Sequence, residues 1–170
     1  MSKMLLIMRH AKSDWDNPSL LDFDRPLNKR GNMDAINMGQ FLRGGGYIPD
    51  LIICSPAIRA KQTTEHIINL LPDQTKIETF NSLYPGDCFT LMKKIEQLND
   101  KLNVVMIVGH NPIMEEFVSK LLVNDACLGI TMSTSNIVGI ELSVNSWKDI
   151  RCLPNKLIFF ISPKLIKSIT

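Results

Sequence analysis

Short apolar runs alternate with amphipathic segments along this chain. Met4–Met8 and Leu51–Cys54 are continuous apolar runs of strand length, as expected of strands covered on both faces of a sheet. Asn103–Val108 is a similar run rich in β-branched residues. Three further strands are predicted at Lys76–Phe80, Asn136–Val144 and Leu157–Ile161. The last two are expected to be joined by a hairpin-type connection.

Between these runs, apolar residues recur at the three- and four-residue spacing of helices. Asn28 is a predicted cap for a helix that runs to about Leu42 and is ended by Gly44–Gly46. Further helices are predicted at Ala57–Leu71, Thr90–Leu98 and Pro112–Leu122, the last with proline at its first position. The end of the chain, with Lys164 and Lys167, is expected to be a solvated tail.

Strands that alternate with helices predict an α/β fold. We expect residues 1–170 to form a single three-layer domain, with a mostly parallel central sheet, helices on both faces and one late antiparallel strand. In such sheets, ligands bind beyond the carboxyl ends of the strands. Functional residues should therefore follow the apolar runs directly.

Composition narrows the class of protein. The chain is 45% hydrophobic and 21% charged, which indicates a globular protein rather than a disordered one. A net charge of +2 gives no reason to expect a nucleic-acid partner. The four cysteines form no CxxC pair and are expected to be reduced thiols. The apolar run before Arg9 is too short for a signal peptide or a membrane span, so we expect a soluble cytoplasmic protein with no membrane partner.

Chemically active residues follow three of the predicted strands. Arg9 and His10 follow the first strand. Arg59 ends the stretch Ser55–Arg59 after the second strand, and His110 follows Asn103–Val108. Two of the three histidines in the chain thus arrive, with two arginines, at one edge of the sheet.

This set of side chains favours phosphoryl chemistry. The planar guanidinium group of arginine matches phosphate oxygens, and helix N-termini beside the strand ends add positive potential. Positive charge disfavours protonation of a neighbouring imidazole, which can then act as a nucleophile. Phosphoryl transfer needs an in-line nucleophile and charge stabilisation around the equatorial oxygens. One histidine could attack while the other donates a hydrogen bond to the phosphoryl group.

Four stretches together resemble the motifs of the histidine phosphatase superfamily, and specifically its SixA-like phosphohistidine phosphatase branch. These stretches are Arg9–Ser13, Arg25–Leu27 with Arg30–Gly31, Ser55–Thr63 and Gly109–Pro112. Beyond Pro112 the resemblance rests only on the order of helix and strands. Many members of the superfamily have glycine at the position of Ala11 and asparagine at that of Asp16.

The resemblance implies roles for individual residues. His10 would be the nucleophile that becomes phosphorylated, Arg9 and Arg59 would bind the phosphoryl group, and His110 would be the second histidine of the pocket. These four are the expected catalytic residues. The resemblance implies no metal and no organic cofactor.

Two substrate-binding residues are also implied. Arg25 resembles the additional arginine that SixA-like proteins place at the pocket. Asn111 follows the second histidine and could orient it.

The proton donor for the leaving group is left open by the sequence. Asp22, Asp24 and Asp87 are the candidates. Phosphohistidine is a high-energy phosphoramidate, and its cleavage could depend less on a strong protein acid.

The function expected from the sequence is that of a hydrolase, a histidine-nucleophile phosphatase acting on a phosphorylated protein such as a histidine phosphotransfer domain. No long insertion that could form a lid separates the second and fourth strands. Two alternatives remain open: a phosphomonoesterase for a small phosphate ester, and a non-catalytic phosphate-binding module. A metal hydrolase built on His10 and His110 is disfavoured, because the adjoining arginines would repel a cation.

Overall fold

Six strands form one mixed sheet in the computed structural model, which describes residues 2–123, 128–152 and 154–169. In chain order they are β1 (Lys3–Arg9), β2 (Leu51–Cys54), β3 (Lys76–Thr79), β4 (Val104–Gly109), β5 (Ile137–Leu142) and β6 (Lys156–Ile161). Their order across the sheet is β3-β2-β4-β1-β5-β6. Of these six strands, β5 runs against the other five. The expected mostly parallel sheet with one late antiparallel strand is confirmed.

Five helices surround the sheet in the described part of the chain. They are α1 (Lys29–Gly44), α2 (Ile58–Ile68), α3 (Cys88–Glu96), α4 (Ile113–Val123) and α5 (Pro163–Ile169). Asn28 caps α1 as predicted, because its side chain accepts a hydrogen bond from the Gly31 amide at 2.8 Å. None of the described helices is long and apolar enough to cross a membrane.

The end of the chain forms α5, so the predicted solvated tail is wrong for Lys167, whereas Lys164 is exposed as expected. Lys167 on this helix donates a hydrogen bond to the carboxylate of Asp34 on α1 at 2.6 Å. Asp34 is fully buried and also pairs with Arg30 at 3.3 Å. A buried carboxylate must be compensated by charge, so α5 docks against α1 through a pair that the apolar pattern does not reveal.

The layers follow from the alternation of side chains along β1. Leu5 and Ile7 pack into one apolar cluster with residues of α3 and α4. Leu6 and Met8 point to the opposite face and pack with residues of α1 and α2. Successive side chains of a strand point to opposite faces, so one continuous apolar run supplies both cores. The expected three layers are confirmed.

Strand register brings the strand ends to one edge. Arg9 at the end of β1 pairs with Gly109 at the end of β4, and Cys54 at the end of β2 pairs with Val108. The His10 amide then bonds to the Gly109 carbonyl at 2.9 Å. The residues that follow these three strands therefore meet at the carboxyl edge of the sheet.

Candidate active site

A cavity of about 270 Å³ opens at the carboxyl edge of the sheet, and we call it the central cavity. Its walls include Arg9, His10, Arg59, His110 and Asn111. The structure thus brings together the four residues that the sequence predicts as catalytic.

His10 is held in a defined orientation. It is only 7% exposed, and its Nδ1 lies 2.7 Å from the main-chain oxygen of Ala11. A carbonyl oxygen can only accept a hydrogen bond, so Nδ1 carries the proton of the neutral ring and Nε2 carries the lone pair. The Nε of Arg59 donates to this Nε2 at 3.2 Å. Nε2 is therefore the ring atom whose lone pair faces away from the backbone contact.

Burial lowers the pKa of His10 to about 4, and the positive charges of Arg59 and Arg9 act in the same direction against the opposing hydrogen bond to Ala11. The imidazole is consequently neutral at neutral pH. Its lone pair needs no separate base to remove a proton, and it accepts the hydrogen bond from Arg59.

His110 lies beside His10, with 4.8 Å between the ring centres. Its Nε2 is 2.7 Å from the hydroxyl oxygen of Ser55, the first residue after β2. Burial lowers the pKa of His110 to about 3, with further lowering from His10 and Arg59. Ser55 thus orients the second histidine. The sequence placed Ser55 inside a motif but assigned it no role.

Two guanidinium groups, together with Lys12 in the same wall, supply the positive charge of the central cavity. Arg9 donates from Nη1 to the Met132 carbonyl at 2.7 Å, and its Nε is buried with no hydrogen-bond partner among the described residues. Arg59 donates from Nη2 to the Asp22 carboxylate at 2.9 Å and from Nη1 to the Asp22 main-chain oxygen. Guanidinium groups beside two neutral imidazoles form an anion site.

The three acid candidates differ in position. Asp22 lines the central cavity and accepts a hydrogen bond from the Tyr84 hydroxyl at 2.8 Å. Burial alone would raise the pKa of Asp22, but the Tyr84 hydrogen bond and the Arg59 guanidinium hold it below its ordinary value. Asp22 is therefore ionised at neutral pH, and it holds Arg59 and Tyr84 instead of carrying a proton.

Asp24 and Asp87 do not line the central cavity. Asp87 caps α3 by accepting a hydrogen bond from the Thr90 amide at 2.8 Å. Hydrogen bonds from Thr90 lower the pKa of Asp87, which fits a helix cap better than an acid.

Arg25 is not in the cavity wall but next to it. Its guanidinium carbon lies 3.8 Å from the centre of the Trp15 ring, and its Nε is 3.9 Å from the Asp22 carboxylate. Trp15 and Asp22 both line the central cavity. The resemblance implies that Arg25 lies at the pocket, and the side chains of Trp15 and Asp22 stand between Arg25 and the cavity.

Asn111 lines the central cavity but does not orient His110. Its Nδ2 donates to the Glu115 carboxylate at 2.7 Å and to the Met132 carbonyl at 2.9 Å. The same Glu115 oxygen accepts from the Met132 amide at 2.7 Å. Glu115 thereby fixes Met132, whose carbonyl accepts the hydrogen bond from Arg9. Sequence reasoning missed this clamp because Met132 is far from Glu115 along the chain and nothing in its composition marks it.

Within the ranges that the structure describes, no group of three or more His, Cys, Asp or Glu side chains lies together as a metal site would require. The described cysteines Cys54, Cys88 and Cys152 are free thiols, and Cys127 lies outside the described residues.

Comparison with known proteins gives a consistent picture. The family model of the histidine phosphatase superfamily (branch 1) matches residues 5–84. An uncharacterized chloroplastic protein of Arabidopsis thaliana is 29% identical over 159 residues, which is 87% of this chain and 70% of that protein. Phosphohistidine phosphatase SixA of Escherichia coli (strain K12) is 29% identical over 143 residues, covering 81% of this chain and 84% of SixA. A crystal structure from Agrobacterium tumefaciens, provisionally named phosphohistidine phosphatase SixA, superposes with a TM-score of 0.81 at 28% identity and covers 96% of this chain and 99% of its own.

Proposed function

Because the chain belongs to the histidine phosphatase superfamily, we propose that it hydrolyses a phosphoryl group through a phosphohistidine intermediate on His10. We propose further that its substrate is a protein phosphorylated on histidine. The single observation that carries this proposal is the state of His10. Its Nδ1 is tied to a carbonyl, its Nε2 is neutral, and two guanidinium groups share its cavity.

The first chemical step follows from these atoms. The phosphoryl oxygens take up the Arg59 donor that otherwise bonds to Nε2, and the freed lone pair of Nε2 attacks phosphorus. The new Nε2–P bond forms as the bond from phosphorus to the leaving atom breaks in line. The leaving atom keeps the bonding pair and takes a proton from water. Arg9 and Arg59 stabilise the charge on the equatorial oxygens.

The second step returns the protein to its starting state. A water oxygen attacks phosphorus, the Nε2–P bond breaks, and its electron pair returns to Nε2 of His10. The water proton leaves with solvent and phosphate is released. His110 is close enough to His10 to bond with a phosphoryl oxygen in both steps, because 4.8 Å separates the ring centres.

A phosphoramidate is the substrate class that best fits a site whose carboxylate is ionised and offers no proton to the leaving group. Asp22 is the candidate carboxylate that lines the central cavity, and it is ionised by its contacts with Tyr84 and Arg59. Phosphohistidine needs less help from an acid than an ester does, because its N–P bond is weaker. The SixA relative is named as a phosphohistidine phosphatase, which supports the same substrate class.

A protein substrate is supported by the rim of the central cavity. Trp15 lines the cavity yet is 61% exposed, and Leu21, next to Asp22, is 72% exposed. Exposed apolar side chains beside a polar site offer contact area to a second protein. The alternative, a small phosphate ester, would make no use of Leu21.

Substrate comparison tests the proposal. The purified protein is incubated with a histidine phosphotransfer domain phosphorylated on histidine, with free phosphohistidine and with small phosphate esters, and kcat/KM is measured for each. We expect the phosphorylated domain to give the highest value. A preference for the small esters would overturn the protein-phosphatase assignment, and tight phosphate binding without turnover of any of them would favour the binding module.

A further inference from the structure

A second cleft adjoins the central cavity and has the same volume, about 270 Å³. We call it the side cleft. Asp22, Arg59, His110 and Asn111 line both spaces, whereas His10 lines only the central cavity. The two spaces therefore share a polar wall, and the nucleophile borders the central cavity alone.

The remaining wall of the side cleft is mainly apolar. It is formed by Leu83, Tyr84, Pro85, Gly86, Pro112 and Ile113. Rigid rings of tyrosine and proline present flat surfaces and lose little entropy when a ligand packs on them. The volume lies just below the range of about 300–1,000 Å³ that is typical of sites for drug-sized ligands, so the cleft suits a single ring.

The Tyr84 ring is held in place from several sides. It packs edge-on against His110 with 5.3 Å between ring centres and against Phe23 with 5.2 Å. Its hydroxyl donates to Asp22 at 2.8 Å, and the Arg59 guanidinium carbon lies 5.6 Å from its ring centre. A ring fixed in this way forms a preorganised stacking surface.

The turn that carries Tyr84 is equally constrained. A Cβ atom at Gly86 would come within 1.6 Å of the main-chain oxygen of Ser82, so the chain closes against itself at this point. Only glycine permits so close an approach of the backbone. The position of the Tyr84–Pro85 wall is thus set by the backbone.

In-line transfer connects the two spaces. A phosphoryl group attacked by His10 carries its leaving atom on the side of phosphorus opposite Nε2. Arg59 and His110 reach both spaces and can hold the phosphoryl group between them. From this arrangement we propose that the side cleft binds the leaving portion of the substrate and selects a flat unsaturated ring, such as imidazole or phenol, over a flexible alkyl group. This assignment rests on the proposed function.

Non-hydrolysable phosphonates test the cleft without the complication of leaving-group reactivity. Binding of phenylphosphonate, methylphosphonate and orthophosphate is measured by calorimetry on the unsubstituted protein, Tyr84→Ala and Tyr84→Phe. We expect the unsubstituted protein to bind phenylphosphonate about tenfold more tightly than methylphosphonate, as one aromatic packing contact would give. Tyr84→Ala should remove this preference and Tyr84→Phe, which keeps the ring but loses the hydroxyl, should retain it.

Three results would overturn the assignment, and the last is distinguishable from the first two. Equal affinity for the two phosphonates in the unsubstituted protein, or an unchanged preference in Tyr84→Ala, would contradict the cleft while leaving phosphoryl binding intact. Failure of the unsubstituted protein to bind orthophosphate at all would contradict the proposed function on which the cleft depends. Because Tyr84 is partly exposed, we expect Tyr84→Ala to fold, and retention of orthophosphate binding would verify this.

Discussion

The Nε of Arg59 lies 3.2 Å from Nε2 of His10 and donates a hydrogen bond to it. This bond can form only while Nε2 is unprotonated, so the arginine opposes protonation of the lone pair, and it must release the lone pair to the phosphoryl group before attack. The remaining nitrogens of Arg59 bond to Asp22, which fixes the guanidinium plane. The contact links the charge of the site to the reactivity of its nucleophile.

Substitution of Arg59 by lysine should lower kcat/KM by about 100-fold or more, because the loss of one preorganised donor to transition-state charge costs about that much. Lysine retains the positive charge but cannot bond to His10 and Asp22 with one planar group. Steady-state kinetics with the phosphorylated protein would measure the loss. Arg30→Lys on α1, away from the central cavity, is the matched control; comparable activities of the two variants would contradict the role of Arg59.

Stability should depend on pH through the two buried histidines. Their folded pKa values, about 4 for His10 and about 3 for His110, lie below the ordinary value of about 6.5. Between about pH 6.5 and 4 the unfolded chain therefore binds more protons than the folded protein. The free energy of unfolding should be highest above pH 6.5, fall as the pH drops through this window, and level off below about pH 3.

Urea denaturation at a series of pH values measures this dependence. The unsubstituted protein should lose up to roughly 3 kcal/mol through His10, at about 1.4 kcal/mol per unit of pKa shift. His10→Gln should show a shallower loss over the same window, since glutamine does not titrate. Parallel curves for the two proteins would show that the pKa of His10 is not lowered by folding.

Asp22 should act as a positioning residue for Arg59 and not as the general acid. Asp22→Asn should lower kcat/KM by about tenfold, equally for aryl phosphates with good and poor leaving groups. A general acid contributes about 10²–10⁴-fold, and its loss is felt most by poor leaving groups. The measurement is the dependence of kcat/KM on the leaving-group pKa.

Asp24→Asn is the control for that experiment, because Asp24 is close to Asp22 in sequence but outside the wall of the central cavity. A steeper leaving-group dependence in Asp22→Asn than in the control would establish Asp22 as a proton donor.

Much of the site follows from one rule. Because ligands bind beyond the carboxyl ends of parallel strands, the residues after β1, β2 and β4 were predictable from the apolar runs alone. The supporting contacts were not. Ser55 and Tyr84 lie on separate loops and act through the contacts that those loops make within the site. Apolar periodicity does not encode where such loops lie relative to one another. Asp87 shows a related ambiguity, since a carboxylate before a helix can be a cap or an acid until its contacts are seen.

The fold was predictable to a similar degree. Continuous apolar runs mark buried strands regardless of their neighbours, so the main strands lie where the sequence predicts them. α5 was missed because a helix of seven residues is too short to show a clear helical period. Its contacts with the chain include the charge pair of Lys167 and Asp34, which becomes visible only when α1 is in place, and the packing of Ile166 against the apolar cluster below α1 and α2.

Glu115 should matter for activity although it does not line the central cavity. Its carboxylate accepts from the Met132 amide and from Asn111, and the Met132 carbonyl accepts from Arg9. Glu115→Ala leaves the Met132 amide unpaired and removes one of the two hydrogen bonds of Asn111, and it should destabilise the protein by about 1–3 kcal/mol. It should also weaken orthophosphate binding by about tenfold, because Arg9 loses its fixed partner.

Orthophosphate inhibition and thermal unfolding measure the two effects. Glu115→Gln keeps an acceptor oxygen and should recover most of the binding, whereas Glu116→Ala, the neighbouring residue on α4, should resemble the unsubstituted protein. If Glu115→Ala loses stability but binds orthophosphate normally, the clamp serves the fold alone.

The central claim is that His10 itself carries the phosphoryl group. The protein is mixed with a phosphorylated histidine phosphotransfer domain, quenched with alkali within milliseconds and analysed by peptide mass spectrometry. We predict an acid-labile phosphoryl group on the peptide that contains His10, transient in the unsubstituted protein and absent from His10→Ala, together with loss of hydrolysis in that variant. Hydrolysis that persists in His10→Ala, or a phosphoryl group found on another residue, would contradict the account.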